Sequence, residues 1–476
     1  MTGANGRTGA NGTDGGTVRL GAGAGFAGDR IDPAVELARH GDLDYLVFEC
    51  LGERTVAAAQ VRRLADPSAG YDPLLAARMR AVLPVLAARA GTGTGSGSGA
   101  SDTRTGRRTR IVTNSGAANP LAAGHRTVAI ARELGLSARV GVVTGDDVLD
   151  VVRRLDPVVW ETGEPLSAAP EELVSANAYL GADGVRQALD QDADVVVTGR
   201  VADPALYLGP LLHEFGWAQD DWPTLAAGTV VGHLLECAGQ LTGGYFADPG
   251  TKPVPGLARL GFPFADVGAD GGARLSKLPG SGGLLTTRTC TEQLLYEVDR
   301  PDAYLTPDVT ADFTAVRLAA DGTDAVRVTG GTGGPRPDDL KVTLGFRGGW
   351  QGEGQISYAG PRALARGRLA GEIVRERLVD VHGLAADAIG VELIGAGAAF
   401  RGLAPETDPL EVRLRVSARA SDAERADAVG WEVESLYTNG PAGGGGARRS
   451  AQETVLVRSC LVPRDLVVPS VTVLEA

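Results

Sequence analysis

The stretch Asp194-Val195-Val196-Val197-Thr198-Gly199-Arg200-Val201-Ala202-Asp203-Pro204 decides how this chain folds. Its first half is a short β-branched run, too brief for a helix, that reads as a strand buried on both faces. Its second half stops the strand with a glycine and a charge, and Pro204 suits the first turn of a helix. The same pattern recurs outward. Apolar runs at 18–20, 45–48, 110–113, 139–143 and 173–176 alternate with helical patterns such as 33–39, 73–90 and 122–134. Repeated βα units place helices against a mostly parallel sheet, so residues 17–240 are expected to form an α/β domain.

Beyond a helical pattern at 225–241 the texture changes, and 241–476 reads as an α+β domain. Within it, 353–462 parses as strand 353–358, helix 361–380, strand 391–395, strand 410–419, helix 421–437 and strand 452–462. That order is the ferredoxin-like plait. Residues 245–350 read as strands and hairpins with one short helix near 290–298, opened by Thr289-x-x-Glu292 as a capping box. Residues 1–16 read as a disordered tail, 91–106 as a flexible insert and 440–449 as a Gly-rich loop.

Composition narrows the function. The net charge is −13 and the pI about 5.0, which argues against nucleic acid or an anionic membrane surface, since both select a basic field. The four cysteines are scattered without a C-x-x-C pair, so neither a disulfide framework nor a zinc knuckle is suggested. The N-terminus has no signal-peptide core, and His233 and Glu236 interrupt the most apolar stretch, 225–241. A soluble cytoplasmic protein is expected.

Chemistry in βα sheets collects just past the strand C-terminal ends. Here those ends read Gly21-Ala22-Gly23, Glu49-Cys50, Asn114-Ser115-Gly116, Gly145-Asp146-Asp147, Asn177, and Gly199 to Asp203. Arg200 is of the type that clamps a carboxylate or phosphate, and Asp203 of the type that moves a proton. The alternative is an Arg–Asp ion pair with Asp203 capping the helix at Pro204. His233, Glu236 and Gln240 fall on one helix face at i, i+3, i+7, where His233 suits acid–base work or a satisfied place in the core. His-x-x-Glu lacks the second histidine of a zinc helix, so no metal site is assigned.

Two glycine motifs point to anions. Gly23-Ala24-Gly25-Phe26-Ala27-Gly28 fits G-x-G-x-x-G after a strand, with Glu49 ending the next strand, as in a dinucleotide fingerprint. Asp32-Pro33 delays the helix, however, which leaves a Gly-rich active-site loop as the other reading. Lys277, one of only three lysines, precedes Pro279-Gly280-Ser281-Gly282-Gly283, a loop able to form an oxyanion nest or a plain hairpin turn.

Taken together, several blocks resemble the acyclic terpene utilisation (AtuA) family. They include Gly25-Phe26-Ala27-Gly28-Asp29-Arg30, Asp44 to Leu51, Ile111 to Pro120, Ser175 to Gly181, and Thr198 to Pro204. His213 to Trp217, Gly232 to Pro249, Lys277 to Gly283 and Gln293 to Glu297 complete the set, which covers about residues 18–465. The insert at 91–106 looks longer than the family's connection. Longer relatives carry an extra C-terminal domain, so any step it performs is expected to be missing here or supplied by a partner. The resemblance implies breakdown of terpenoid or other branched acids as acyl-CoA thioesters.

The leading expectation is therefore an enzyme of branched or terpenoid acyl-CoA or carboxylic acid metabolism working by acid–base chemistry, a lyase or hydratase. Asp203 and His233 are expected to move protons, with Glu49 and Glu236 in the same catalytic set. Arg200, Asn114, Asn177, Gly25, Lys277, Gly280, Gly282 and Gly283 are expected to bind substrate. The cofactor stays open, with CoA entering as part of the substrate. The expected partners are that small molecule and further copies of the chain in a homo-oligomer, without nucleic acid or membrane. Two other classes stay open: a dinucleotide-dependent oxidoreductase using the Gly23–Gly28 motif and Glu49, and a non-catalytic acyl-CoA-binding subunit.

Overall fold

Short β-branched runs bounded by glycine and polar residues fold as strands in the computed structural model, which describes residues 16–91, 108–400, 403 and 408–476. The expected tail 1–16 and insert 91–106 lie, but for Gly16 and Gly91, outside the described residues. The chain divides into two compact units, one of residues 1–169, 173–345 and 457–476, the other of 170–172 and 346–456. These limits differ from the expected 17–240 and 241–476.

The larger unit begins with β1 (Val18–Gly25), α1 (Asp32–His40), β2 (Tyr45–Glu49), α2 (Glu53–Ala65), α3 (Leu75–Gly91), β3 (Arg110–Thr113), α4 (Pro120–Glu133) and β4 (Arg139–Thr144). There follow α5 (Leu149–Leu155), β5 (Leu173–Ala178), α6 (Asp183–Asp190), β6 (Val195–Thr198), α7 (Ala205–Phe215) and α8 (Trp222–Glu236). Next come β7 (Pro263–Val267), β8 (Ala273–Lys277), α9 (Thr287–Leu295), β9 (Tyr304–Leu305), β10 (Thr310–Asp312), β11 (Arg317–Ala320), β12 (Ala325–Thr329) and β13 (Thr332–Gly334). The remaining elements are β14 (Asp339–Ala359), α10 (Ala363–Asp380), β15 (Ile389–Ile394), β16 (Glu411–Ala420), α11 (Ala423–Asn439), β17 (Gly445–Pro463) and β18 (Ser470–Glu475).

The ten-stranded sheet of the larger unit runs β11-β12-β8-β7-β1-β2-β3-β6-β4-β18. Its central strands β1, β2, β3, β6 and β4 are parallel, while β7 and β18 flank them antiparallel. The sheet is thus mixed rather than mostly parallel. Because β7 and β8 extend it, no boundary falls at residue 240. The run at 173–176 is a strand, β5, yet it pairs with β14 and not with this sheet.

Strand alternation sorts the two layers of helices. Leu46 and Phe48 of β2 enter a buried cluster with Leu37 of α1 and Met79 of α3. Tyr45, one residue out of step, sends its hydroxyl to Glu214 of α7 at 2.8 Å. The pattern at 225–241 folds as α8, with Asp221 accepting from the Thr224 amide at 3.4 Å, and then a 3₁₀ turn, Ala238–Gln240. In α9 the capping box is Thr286 with Thr289, three residues before the expected one, because the helix itself opens earlier.

In the smaller unit the sheet order is β15-β16-β14-β17, with β16 antiparallel to both neighbours. Val374 and Leu378 of α10 and Val429 and Val433 of α11 share one core with Ile356, Leu414 and Val416 from the strands. Asp422 caps α11 by accepting from the Arg425 amide at 2.9 Å. The loop expected at 440–449 gives way to β17 from Gly445 onward. No helix among the described residues is long and apolar enough to cross a membrane.

Candidate functional site

The ends of β1, β2 and β6 open into one cleft of about 1410 Å3 in the larger unit. Gly25 ends β1 and Phe26 follows it, Glu49 ends β2 with Leu51 and Glu53 beyond it, and Arg200 and Asp203 follow β6. The end of α8 adds Glu236 and Cys237, and later segments add Tyr296, Glu297, Tyr304 and Lys341.

Arg200 organises the polar side of this cleft. Its side chain is buried, and Nη1 donates to Asp203 Oδ1 at 2.8 Å and to the Leu51 carbonyl, while Nη2 reaches Asp203 Oδ2 at 3.4 Å. The Tyr179 ring lies 4.0 Å from the guanidinium carbon and 4.8 Å from the Lys341 ammonium. Against the cost of burial, Asp203, Tyr179, Glu53 and Glu49 hold Arg200 firmly protonated. Asp203 therefore fills the fork expected to clamp a substrate carboxylate. It does not cap α7, whose first turn has no side-chain cap. Burial pushes the Asp203 carboxyl up, even against Arg200.

Two amides expected to touch substrate serve as braces instead. Glu49 Oε1 accepts from Asn114 Nδ2 at 2.9 Å and from the Leu51 amide at 2.7 Å, while Asn114 Oδ1 accepts from the Cys50 amide at 2.7 Å. Burial and the charge of Asp203 push Glu49 up to about 8, despite those donors and Arg200. Asn177 Nδ2 donates to Asp146 Oδ2 at 2.9 Å, and the same oxygen accepts from the Arg200 amide at 2.9 Å. A Cβ on Gly199 would stand 2.4 Å from Asp146 Oδ1, so the turn after β6 needs glycine there. Asn114 and Asn177 do not line the cleft; Glu49 does.

His233 sits behind the cleft wall, its ring 5.2 Å from Tyr304 and 5.4 Å from Phe313. Nδ1 meets Glu236 Oε1 at 3.0 Å, and the buried Nε2 has no partner among the described residues. Burial lowers His233 to about 4, leaving it neutral. Burial, with Asp203 and Glu297 nearby, lifts Glu236 well above the usual carboxylate range. Glu236 lines the cleft, and its buried Oε2 has no hydrogen-bond partner among the described residues. Because α8 ends at Glu236 and Ala238 turns to a φ of 40°, Gln240 leaves the helix face it was expected to share.

The glycine motifs are filled by the protein itself. Lys277 Nζ donates to the Ser281 carbonyl at 2.9 Å and pairs with Asp324 at 3.1 Å. The Gly282 and Gly283 amides donate to the Arg259 and Pro255 carbonyls, so the loop Gly280-Ser281-Gly282-Gly283 is a folded turn rather than an open nest. None of these residues lines the cleft. Gly23 and Gly25 lie within β1, and a Cβ at Gly25 would stand 2.5 Å from the Cys237 carbonyl carbon. The Gly25 amide donates to Asp29 at 2.9 Å, and β1 has antiparallel β7 as its other neighbour. The fingerprint needs its glycines at a helix N-terminus beside a reversal of parallel strand order, whereas here Gly25 lets β1 approach the end of α8 at Cys237, Gly23 faces Phe48 and Gly28 faces Phe26.

Glu53, Tyr179, Lys341, Glu297 and Asp146 were not in the expected site. The Tyr179 hydroxyl donates to Glu53, and Lys341 Nζ reaches the same carboxylate at 3.1 Å. Although burial opposes it, Tyr179, Arg200 and Lys341 hold Glu53 down to about 2. A scarce lysine was a usable signal for Lys341, as it was for Lys277. No three histidine, cysteine, aspartate or glutamate side chains among the described residues gather as a metal-binding group.

No curated protein and no solved structure matches this chain. The family model described as acyclic terpene utilisation family protein AtuA matches residues 18–473, taking in every strand end of the cleft. The chain belongs to the acyclic terpene utilisation (AtuA) family, and its role lies in acyclic terpene utilisation.

Proposed function

We propose that the protein is an acid–base enzyme of terpenoid breakdown, a lyase or hydratase acting on a branched acyclic acid derivative. One observation carries this reading: Glu49 and Glu236, two carboxyl groups raised by burial, and Asp203, ion-paired with buried Arg200, border one cleft. Carboxyl groups whose environments push their proton affinities apart can divide the work of acid and base. Asp203, held by Arg200, suits the base. Glu236, the better shielded, suits the acid, and Glu49 at about 8 is poised to exchange either way near neutral pH.

In a hydration, Glu236 gives a proton to one carbon of the double bond, water adds its oxygen to the other carbon, and Asp203 takes the water's proton. In a cleavage, Asp203 takes the proton of a substrate hydroxyl as the adjacent carbon–carbon bond breaks, and Glu236 protonates the released carbon. Asn114 and Asn177 act at one remove, by holding Glu49 and Asp146. His233 is a positioning residue for Glu236.

Incubation with branched acyclic acids and their thioesters in D2O tests the reading. Mass spectrometry is expected to show deuterium entering a carbon-bound position, and Asp203→Asn or Glu236→Gln to suppress it by about 10²–10⁴. Exchange at the wild-type rate in both variants would overturn the assignment.

A further inference from the structure

The cleft is arranged in two zones. Its inner lining holds Glu49, Arg200 and Glu236, which are 8%, 2% and 8% exposed. Its outer lining holds Phe26, Trp160, Tyr245, Leu257 and Leu305, which are 59%, 54%, 87%, 40% and 67% exposed. Large apolar side chains gathered at one opening mark a surface that receives an apolar partner. Tyr245 also holds a φ of 61°, a backbone state costly for a residue with a Cβ and typical of functional positions. At the inner end, the partnerless Glu236 Oε2 calls for a polar group from a ligand.

Charge separates the possible ligands. The exposed or half-exposed charged groups of the lining are Asp29, Glu53, Asp203, Glu297, Asp338 and Asp339 against Arg30 and Lys341. Arg30 already donates to the Leu257 carbonyl at 3.0 Å, and Lys341 is paired with Glu53. Phosphate groups select arginine, lysine or a helix N-terminus. The N-terminus of α2 reaches the described lining through Gly52, Glu53 and Thr55, but Glu53 fills its first turn, and carboxylates outnumber cations around it, so the net field is negative.

We propose, on the strength of the acid–base reading above, that the cleft takes an uncharged amphiphile head first, its polar end among the buried carboxyls and its chain against the apolar opening. A substrate carried on coenzyme A would enter chain first and leave a polyanionic carrier among Asp338, Asp339 and Glu297. The substrate therefore reacts free of that carrier, as a neutral carbonyl, hydroxyl or small thioester compound.

Titration calorimetry with four ligands of one branched acyclic chain tests this: the primary amide, the N-acetylcysteamine thioester, the free carboxylate and the CoA thioester. The amide and the neutral thioester are expected to bind roughly tenfold or more tightly than the CoA thioester at low salt. The double variant Asp338→Lys/Asp339→Lys is expected to narrow that gap. A CoA thioester that binds as tightly as the neutral ligands, or a gap the double variant leaves unchanged, overturns this inference and leaves the acid–base reading standing. Failure of all four to bind overturns both.

Discussion

Glu49 couples the site to the stability of the fold. Its carboxyl titrates at 4.5 in the unfolded reference and at about 8 in the folded chain. Between those values the folded state holds a proton that the unfolded chain has released, so stability is fully present below pH 4.5 and is lost as pH rises through 8. The loss is expected to approach about 1 kcal/mol for each pH unit in that window. Denaturant unfolding of Glu49→Gln is expected to show a weaker decline over the same range; an identical decline would mean that Glu49 is ionised in the fold. His233→Ala belongs to the same scale. Removing a ring packed against the Tyr304–Phe313 pair and bonded to Glu236 is expected to cost about 1–3 kcal/mol. His233→Gln, which keeps a polar group beside Glu236, should recover part of that loss. Asp203→Asn, which removes the charge facing the buried Arg200 guanidinium, is expected to lower the melting temperature as well as turnover, with the loss of turnover far larger than the fraction of protein unfolded accounts for.

At the level of elements, the turn after β6 depends on Asp146, which accepts from the Arg200 amide and Asn177. Asp146→Ala is expected to destabilise the chain by about 1–3 kcal/mol and to weaken activity together with stability, since it leaves two buried donors unpaired. Thr286→Ala removes one half of the α9 capping box and is expected to cost about 1 kcal/mol in thermal or denaturant unfolding. The strands were legible because β-branched runs such as Val195-Val196-Val197 have no helical reading at that length. What was hidden is pairing. Nothing local in Leu173 to Ala178 says that β5 joins β14, and nothing local in Pro263 to Val267 says that β7 extends the first sheet.

For the whole molecule, the sequence exposed those parts of the site that lie at strand ends. Glu49, Arg200 and Asp203 are contiguous with their strands and could be found by grammar alone. Glu53 also lies at a strand end, four residues past Glu49, but Tyr179, Glu297 and Lys341 come from segments far apart in the chain, and only the fold gathers them around the same cleft. The misplaced residues share a physical reason. Lys277, Gly282, Gly283, Asn114 and Asn177 carry groups suited to a ligand, yet each meets a protein partner first: Asp324 for the lysine, backbone carbonyls for the two glycines, Glu49 and Asp146 for the amides. A sequence shows what a side chain offers, whereas occupancy of its donors belongs to the folded chain.

The central claim is that the cleft holds protonated carboxyl groups at neutral pH. Infrared difference spectroscopy of the wild-type protein against Glu49→Gln and Glu236→Gln reads this directly and without a substrate. The carbonyl stretching band of a protonated carboxylic acid is expected at pH 7 in the wild type, reduced in each variant. A wild-type spectrum at that pH with ionised carboxylate bands alone, unaltered in the acid region by either substitution, would contradict it.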